Sequence, residues 1–157
     1  MIHELILTKP KAIQTVQLDE QIGFKLRLAQ LAVFSDIIEA LKGFDLRPVD
    51  LSALMLIESN PGINQRIVGE KLKIARPNIV GLIDSLSSRD LVERVVNSDD
   101  RRSNLLKLTP RGCELLIRAK AAQEEHRQRI LEALEGVDIG TLARGLDQLA
   151  KLAKITK

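Results

Sequence analysis

The sequence has no tryptophan, no tyrosine and only three phenylalanines, Phe24, Phe34 and Phe44. Proteins that grip single-stranded nucleic acid stack its bases on aromatic rings. A chain this poor in rings is therefore read as a partner of duplex DNA, if of any nucleic acid. The 157 residues hold one cysteine, Cys113, which excludes an internal disulfide framework and fits a reducing compartment. No apolar run approaches the roughly 18 residues of a membrane span, and the N-terminus lacks a basic-then-apolar leader pattern. The expected location is the cytoplasm, with no membrane partner. The two histidines, His3 and His126, lack Cys or His companions at ligand spacing, so no metal or other cofactor is expected. There is no Ser/His/Asp set, no phosphate-cradling glycine loop and no pair of acids in an apolar setting. The chain is not read as an enzyme.

What is present is an ordinary globular balance, 45% hydrophobic and 29% charged, with a net charge of +3. The charge is unevenly placed. Residues 60–112 carry ten basic against six acidic side chains, residues 1–59 six against eight, and residues 113–157 eight against seven. A basic stretch between nearly balanced flanks is the footprint of a phosphate-binding face.

Periodicity supplies the elements. Residues 1–18, interrupted by Pro10, read as an arm. From Asp19 to about Lys42, Ile22, Leu26, Ala29, Val33, Ile37 and Leu41 recur at helical spacing, and Phe24, Leu28, Leu31, Phe34 and Ile38 fill much of the other side. Such a helix is expected to be buried on more than one face, with a second subunit as the natural extra partner. Gly43 ends it, and Arg47-Pro48 opens another helix to Ser59. After the turn Asn60-Pro61-Gly62, a short helix runs from the N-cap Asn64 to Leu72. A Lys73-Ile74 turn leads into a helix from Arg76 to Arg89, with Ile79, Leu82, Ile83 and Leu86 as its core stripe. Leu91–Val96 and Leu105–Leu108 read as a hairpin around the polar tip 97–103. Thr109-Pro110 then starts a long helix to about Glu135, and Gly136 separates it from a last amphipathic helix carrying Val137, Leu142, Leu146, Leu149 and Leu152.

Short helix, tight turn, longer helix and hairpin is the order of a winged helix-turn-helix, in a fold that is mainly α with a small β-hairpin wing. The second helix of such a pair presents its N-terminal residues to base edges in the major groove. Here those residues are Ala75, Arg76, Pro77, Asn78 and Val80, with Gly81 on the next turn. Arg pairs bidentately with guanine and Asn with adenine, which makes Arg76 and Asn78 the leading readers. Gly81 costs about 1 kcal/mol of helix propensity; it either lets backbone approach DNA closely or packs against a neighbouring helix. On the hairpin tip, Arg101 and Arg102 stand beside Asp100 and Ser103. An arginine suits a narrow minor groove, and Asp100 can hold Arg102 extended through a charge-assisted pair. Taken alone, the tip also fits a solvated loop with an incidental ion pair; its place after the helix pair favours the wing.

Residues 64–112 resemble the multiple-antibiotic-resistance regulator (MarR) family. The likeness is carried by Lys73-Ile74-Ala75-Arg76-Pro77-Asn78-Ile79-Val80, Leu82-Ile83-Asp84-Ser85-Leu86 and Asp90-Leu91-Val92-Glu93-Arg94. It continues through Asp99-Asp100-Arg101-Arg102-Ser103 to Leu106-Lys107-Leu108-Thr109-Pro110-Arg111-Gly112. The resemblance implies a homodimer whose N- and C-terminal helices form the dimerisation region: residues 1–46 as arm and first dimerisation helix, 47–112 as the DNA-binding domain, and 113–157 as further dimerisation helices. It implies a pseudo-palindromic operator with half-sites about one helical turn apart, Arg102 in the minor groove and Asp100 orienting it. Ala75 departs from the serine often found in the family, removing a cap and a phosphate contact. The family's usual effector site would lie between the dimer helices and the winged domain. Arg27, Phe34 and Met55 are candidates for its lining, since apolar walls with one cation suit an aromatic acid or its coenzyme A thioester. The alternative is that Phe34 and Met55 are core and Arg27 solvated. Cys113, early in the long helix, is read as a buried inert thiol rather than a sensor. The expected function is a ligand-responsive dimeric repressor. The competing reading is a protein-interaction adaptor that uses the winged fold without DNA.

Overall fold

The computed structural model describes residues 16–96 and 104–152. The chain divides into two compact units, Met1–Ser35 and Asp36–Lys157. In chain order the elements are α1 (Val16–Asp19), α2 (Ile22–Leu41), α3 (Pro48–Ser59), β1 (Ile63–Asn64), α4 (Gln65–Leu72), α5 (Arg76–Ser88), β2 (Val92–Val96), β3 (Asn104–Leu108), α6 (Pro110–Ala133) and α7 (Ile139–Ala150). A 3-10 turn, Lys42–Phe44, follows α2.

In the first unit the short helix α1 begins within the stretch read as an arm and ends one residue beyond it, and the helix expected from Asp19 begins at Ile22. Ile22, Leu28, Leu31, Val33 and Phe34 are exposed in the single chain. Across its whole length α2 buries only Ile37 and Leu41. Burial on more than one face is therefore not achieved within one chain.

The second unit is built around α3. Leu51, Ala53, Leu54 and Ile57 of that helix are almost fully buried, and α3 packs against α4, α6 and β3. Its start is fixed by Asp50, whose carboxylate accepts the Arg47 backbone N–H at 2.9 Å and is gripped by the Arg47 guanidinium. The Asn60-Pro61-Gly62 turn forms as its composition predicts. Gly62 sits at φ 87, a region that a β-carbon disfavours, and its N–H donates to the Leu106 carbonyl at 3.0 Å. The next two residues form β1, which the sequence did not show. Two residues carry no readable periodicity, and they become a strand only by pairing with β3, Ile63 opposite Leu106. The sheet order is β1-β3-β2, with the β2–β3 hairpin in register from Val92 opposite Leu108 to Val96 opposite Asn104.

Helix caps follow the sequence closely. Asn64 accepts the Ile67 N–H at 2.9 Å, and Thr109 accepts that of Gly112 at 2.9 Å. The Thr109 hydroxyl also donates to the Asp90 carbonyl at 2.6 Å, which ties the start of α6 to the end of α5. Gly112 is required there: a β-carbon would lie 2.0 Å from the Leu91 carbonyl oxygen. The long helix α6 stops at Ala133, two residues short of the expected Glu135. Asp138 caps α7, which buries none of its residues.

Candidate nucleic-acid interface

The α4–α5 corner is set by local chemistry. Lys73 closes α4 in the left-handed region at φ 58, and Ala75 precedes α5 without a side-chain cap. Ile79, Leu82, Ile83 and Leu86 are the buried residues of α5. Their three-and-four spacing fixes the helix rotation, so Ala75, Arg76, Pro77, Asn78, Val80 and Gly81 all face outward. Val80 leaves 41% of its surface in water. Among the described residues neither Arg76 nor Asn78 has a side-chain partner, so their donors and acceptor are open to a ligand. Gly69 lets α4 approach α5 closely, with Ile79 Cγ2 3.3 Å from where its β-carbon would be. At Gly81 a β-carbon would meet nothing within 4 Å. No described residue of the single chain therefore packs closely against that glycine. Gly81, Pro77, Asn78 and Ser85, together with Arg47 and Val49, border a depression of about 550 Å³.

One link between the recognition helix and the wing escaped the sequence reading. Arg94 on β2 donates to Asp84 on α5 at 2.5 Å, holding the first wing strand against the helix. The two positions lie ten apart in sequence, beyond any local spacing rule. The wing-tip candidates Asp100, Arg101, Arg102 and Ser103 lie outside the described residues.

Arg47, not among the sequence candidates, borders the same depression. Its Nε and Nη2 donate to the two Asp50 oxygens at 3.0 and 2.7 Å, and this bond raises the guanidinium's pKa further. The i,i+3 spacing of a helix-capping acid was the available signal.

The remaining candidates are dispersed. Arg27 and Phe34 lie in the first unit, both exposed, while Met55 on α3 in the second is half-buried against the core. The core alternative therefore fits Met55 and, in the single chain, not Phe34. Cys113 is exposed, correcting the expectation of a buried thiol: Gly112 and Leu116 take the inward positions of that turn of α6. His126 is buried, its Nδ1 2.6 Å from an Asp36 oxygen. Arg129 bonds the same carboxylate at 2.9 Å. Arg129 first, then His126, hold the Asp36 carboxyl down at about 2. Among the described residues no cluster of His, Cys, Asp or Glu is placed to hold a metal. No described helix is long and apolar enough to cross a membrane.

Residues 44–103 match the MarR family. The chain is 35% identical to a transcriptional repressor, CouR, solved on a 23-mer DNA duplex; the match covers 91% of this chain and 99% of that one, with a TM-score of 0.78. CouR from Rhodococcus jostii RHA1, solved with p-coumaroyl-CoA, is 32% identical over 87% of this chain and 94% of its own, with a TM-score of 0.72. A transcriptional regulatory protein assigned to the hcr operon of Thauera aromatica is 29% identical over 129 residues, 79% of this chain and 78% of that one. With an exposed recognition helix, a winged sheet and similarity of this extent, the chain belongs to the MarR family of winged-helix, DNA-binding transcriptional regulators.

Proposed function

We propose that the chain is a homodimeric repressor that binds a pseudo-palindromic duplex and is released by a small effector. The observation that carries this reading is the outward face of α5, where Arg76 and Asn78 have no side-chain partner among the described residues at the first turn of a scaffold similar to a repressor solved on DNA. Arg76 and Asn78 read base edges in the major groove; Ala75, Pro77, Val80 and Gly81 shape the approach. Arg102, oriented by Asp100 and flanked by Arg101 and Ser103, enters the adjacent minor groove. Residues 47–112 form the DNA-binding part, and residues 1–46 and 113–157 the dimerisation region.

The effector is an aromatic acid or its coenzyme A thioester, a reading supported by the p-coumaroyl-CoA complex of the similar CouR. Arg27, Phe34 and Met55 stay candidates for binding it, each to be tested by its own substitution. Gel shift with duplex from the protein's own upstream region tests the whole reading: binding is expected, with release on adding p-coumaroyl-CoA. Absence of duplex binding would favour the adaptor reading, and binding unaffected by a panel of aromatic acids and acyl thioesters would remove the effector claim. Arg102→Ala is expected to weaken binding about tenfold or more; wild-type affinity at moderate salt would sink the wing assignment.

A further inference from the structure

Two depressions in the second unit differ in charge. The larger, about 970 Å³, sets Arg89, Arg111 and Arg118 among Asp45, Asp90 and Glu114, so its charges balance. The smaller, about 550 Å³, lies along the outward face of α5 and is bordered by Arg47 with no acid on its rim. Arg47 is poised in an unusual way. Its side chain is 64% exposed, while the Asp50 side chain that grips it is 5% exposed. The buried carboxylate engages Nε and Nη2 only. A guanidinium has five N–H donors, so three of them remain directed away from Asp50. The ion pair fixes the arginine's conformation in advance, which lowers the entropy lost when a second anion binds.

We propose that this depression receives the phosphate backbone of one strand of the duplex DNA whose major groove α5 enters, and that Arg47 is the residue that grips it. The proposal rests on the DNA-binding reading above. The groove-facing residues of α5 and the depression are continuous: Asn78 and Gly81 belong to both. A β-carbon at Gly81 would meet nothing within 4 Å, and Arg47, just before α3, lines the same depression. A backbone strand flanking the major groove would pass between them. Arg47 then sets the depth and register of α5 without reading sequence, as phosphate contacts do.

The test is fluorescence anisotropy with two duplexes, the protein's own upstream region and a scrambled one of equal length and composition, over a salt series. Arg47→Gln is expected to weaken binding to both by a similar factor, about tenfold. The slope of log affinity against log salt should fall by about 0.9, the change for one lost phosphate contact. Arg47→Lys, which keeps the charge, should keep the slope. Because Arg47→Gln leaves Asp50 without its partner, Ser85→Glu serves as the second variant. Ser85 is exposed on the rim, so the fold should tolerate the change, and the new charge should repel both duplexes alike. An unchanged slope in Arg47→Gln with wild-type melting would overturn the proposal. So would wild-type affinity in Ser85→Glu, or a loss confined to the cognate duplex. Failure of the wild-type protein to bind either duplex would sink the DNA-binding reading itself.

Discussion

At the scale of single residues, Gly112 is the glycine with the closest approach to a neighbour. It stands in the first turn of α6, with the Leu91 carbonyl oxygen where its β-carbon would be. The neighbour is backbone that also accepts the Thr109 N–H at 3.2 Å, so it has little freedom to give way. Gly112→Ala is expected to cost at least about 2 kcal/mol, measured by urea unfolding; a loss below about 0.5 kcal/mol would show that the junction relaxes. Asp36 makes a different prediction. Its carboxyl is lowered from 3.8 to about 2, mainly by Arg129 and then by His126. A depressed folded-state pKa stabilises above the unfolded value and is lost as pH falls. The Asp36 contribution is thus complete above about pH 4 and disappears between 3.8 and about 2. Asp36→Asn should flatten stability against pH in that window while leaving the rest of the acid limb in place, as followed by helical signal. An unaltered curve would mean that the pair contributes nothing.

Among the elements, α5 is the one whose rotation matters most. The sequence was enough to choose its faces, because four apolar residues at helical spacing admit a single inward stripe. It also located the weak point at the start. Ala75 holds the N-cap backbone conformation, φ −61 and ψ 146, without a side-chain bond. Ala75→Ser supplies the missing acceptor for an orphan N–H and is expected to stabilise the protein by about 1 kcal/mol, read as a shift in the denaturation midpoint. No gain would show that the first turn is already satisfied by other means. The attachment of β2 to α5 through Arg94 and Asp84, and the pairing of β1 with β3, were not legible. Both join residues well separated along the chain, and no local periodicity reports such contacts.

For the whole molecule, the telling feature is the apolar surface left exposed among the described residues. Along α2, Leu28, Leu31 and Phe34 are exposed, and along α7 Ile139, Leu146 and Leu149 are. An apolar stripe at helical spacing such as Ile139, Leu142, Leu146 and Leu149 of α7 is not sustained by solvent, and covering it would recover roughly 25 cal/mol for each Å² removed from water. A symmetric second copy is the proposed cover. Gel filtration with light scattering should give twice the 17.5 kDa chain mass. The double change Leu146→Glu and Leu149→Glu should shift it to monomer and weaken duplex binding, since each half-site would then bind alone. A dimer that survives the double change would remove α7 from the interface.

The sequence by itself determined the local grammar of the protein. Caps at Asn64 and Thr109, the turn at Gly62 and the inward stripe of α5 depend on neighbours within a few positions, and the family likeness of residues 64–112 on the order of such short motifs. It could not assign Cys113 to the outside of α6, because one residue of ambiguous polarity does not set a helix's rotation; the packing of Gly112 against Leu91 and the burial of Leu116 did. Nor could it join Asp36 to His126 across 90 positions or turn Arg47 from a helix-start residue into the rim of a depression beside α5. Those depend on which elements meet, and the tertiary structure decided them because long-range packing, not local spacing, brings such groups within bonding distance.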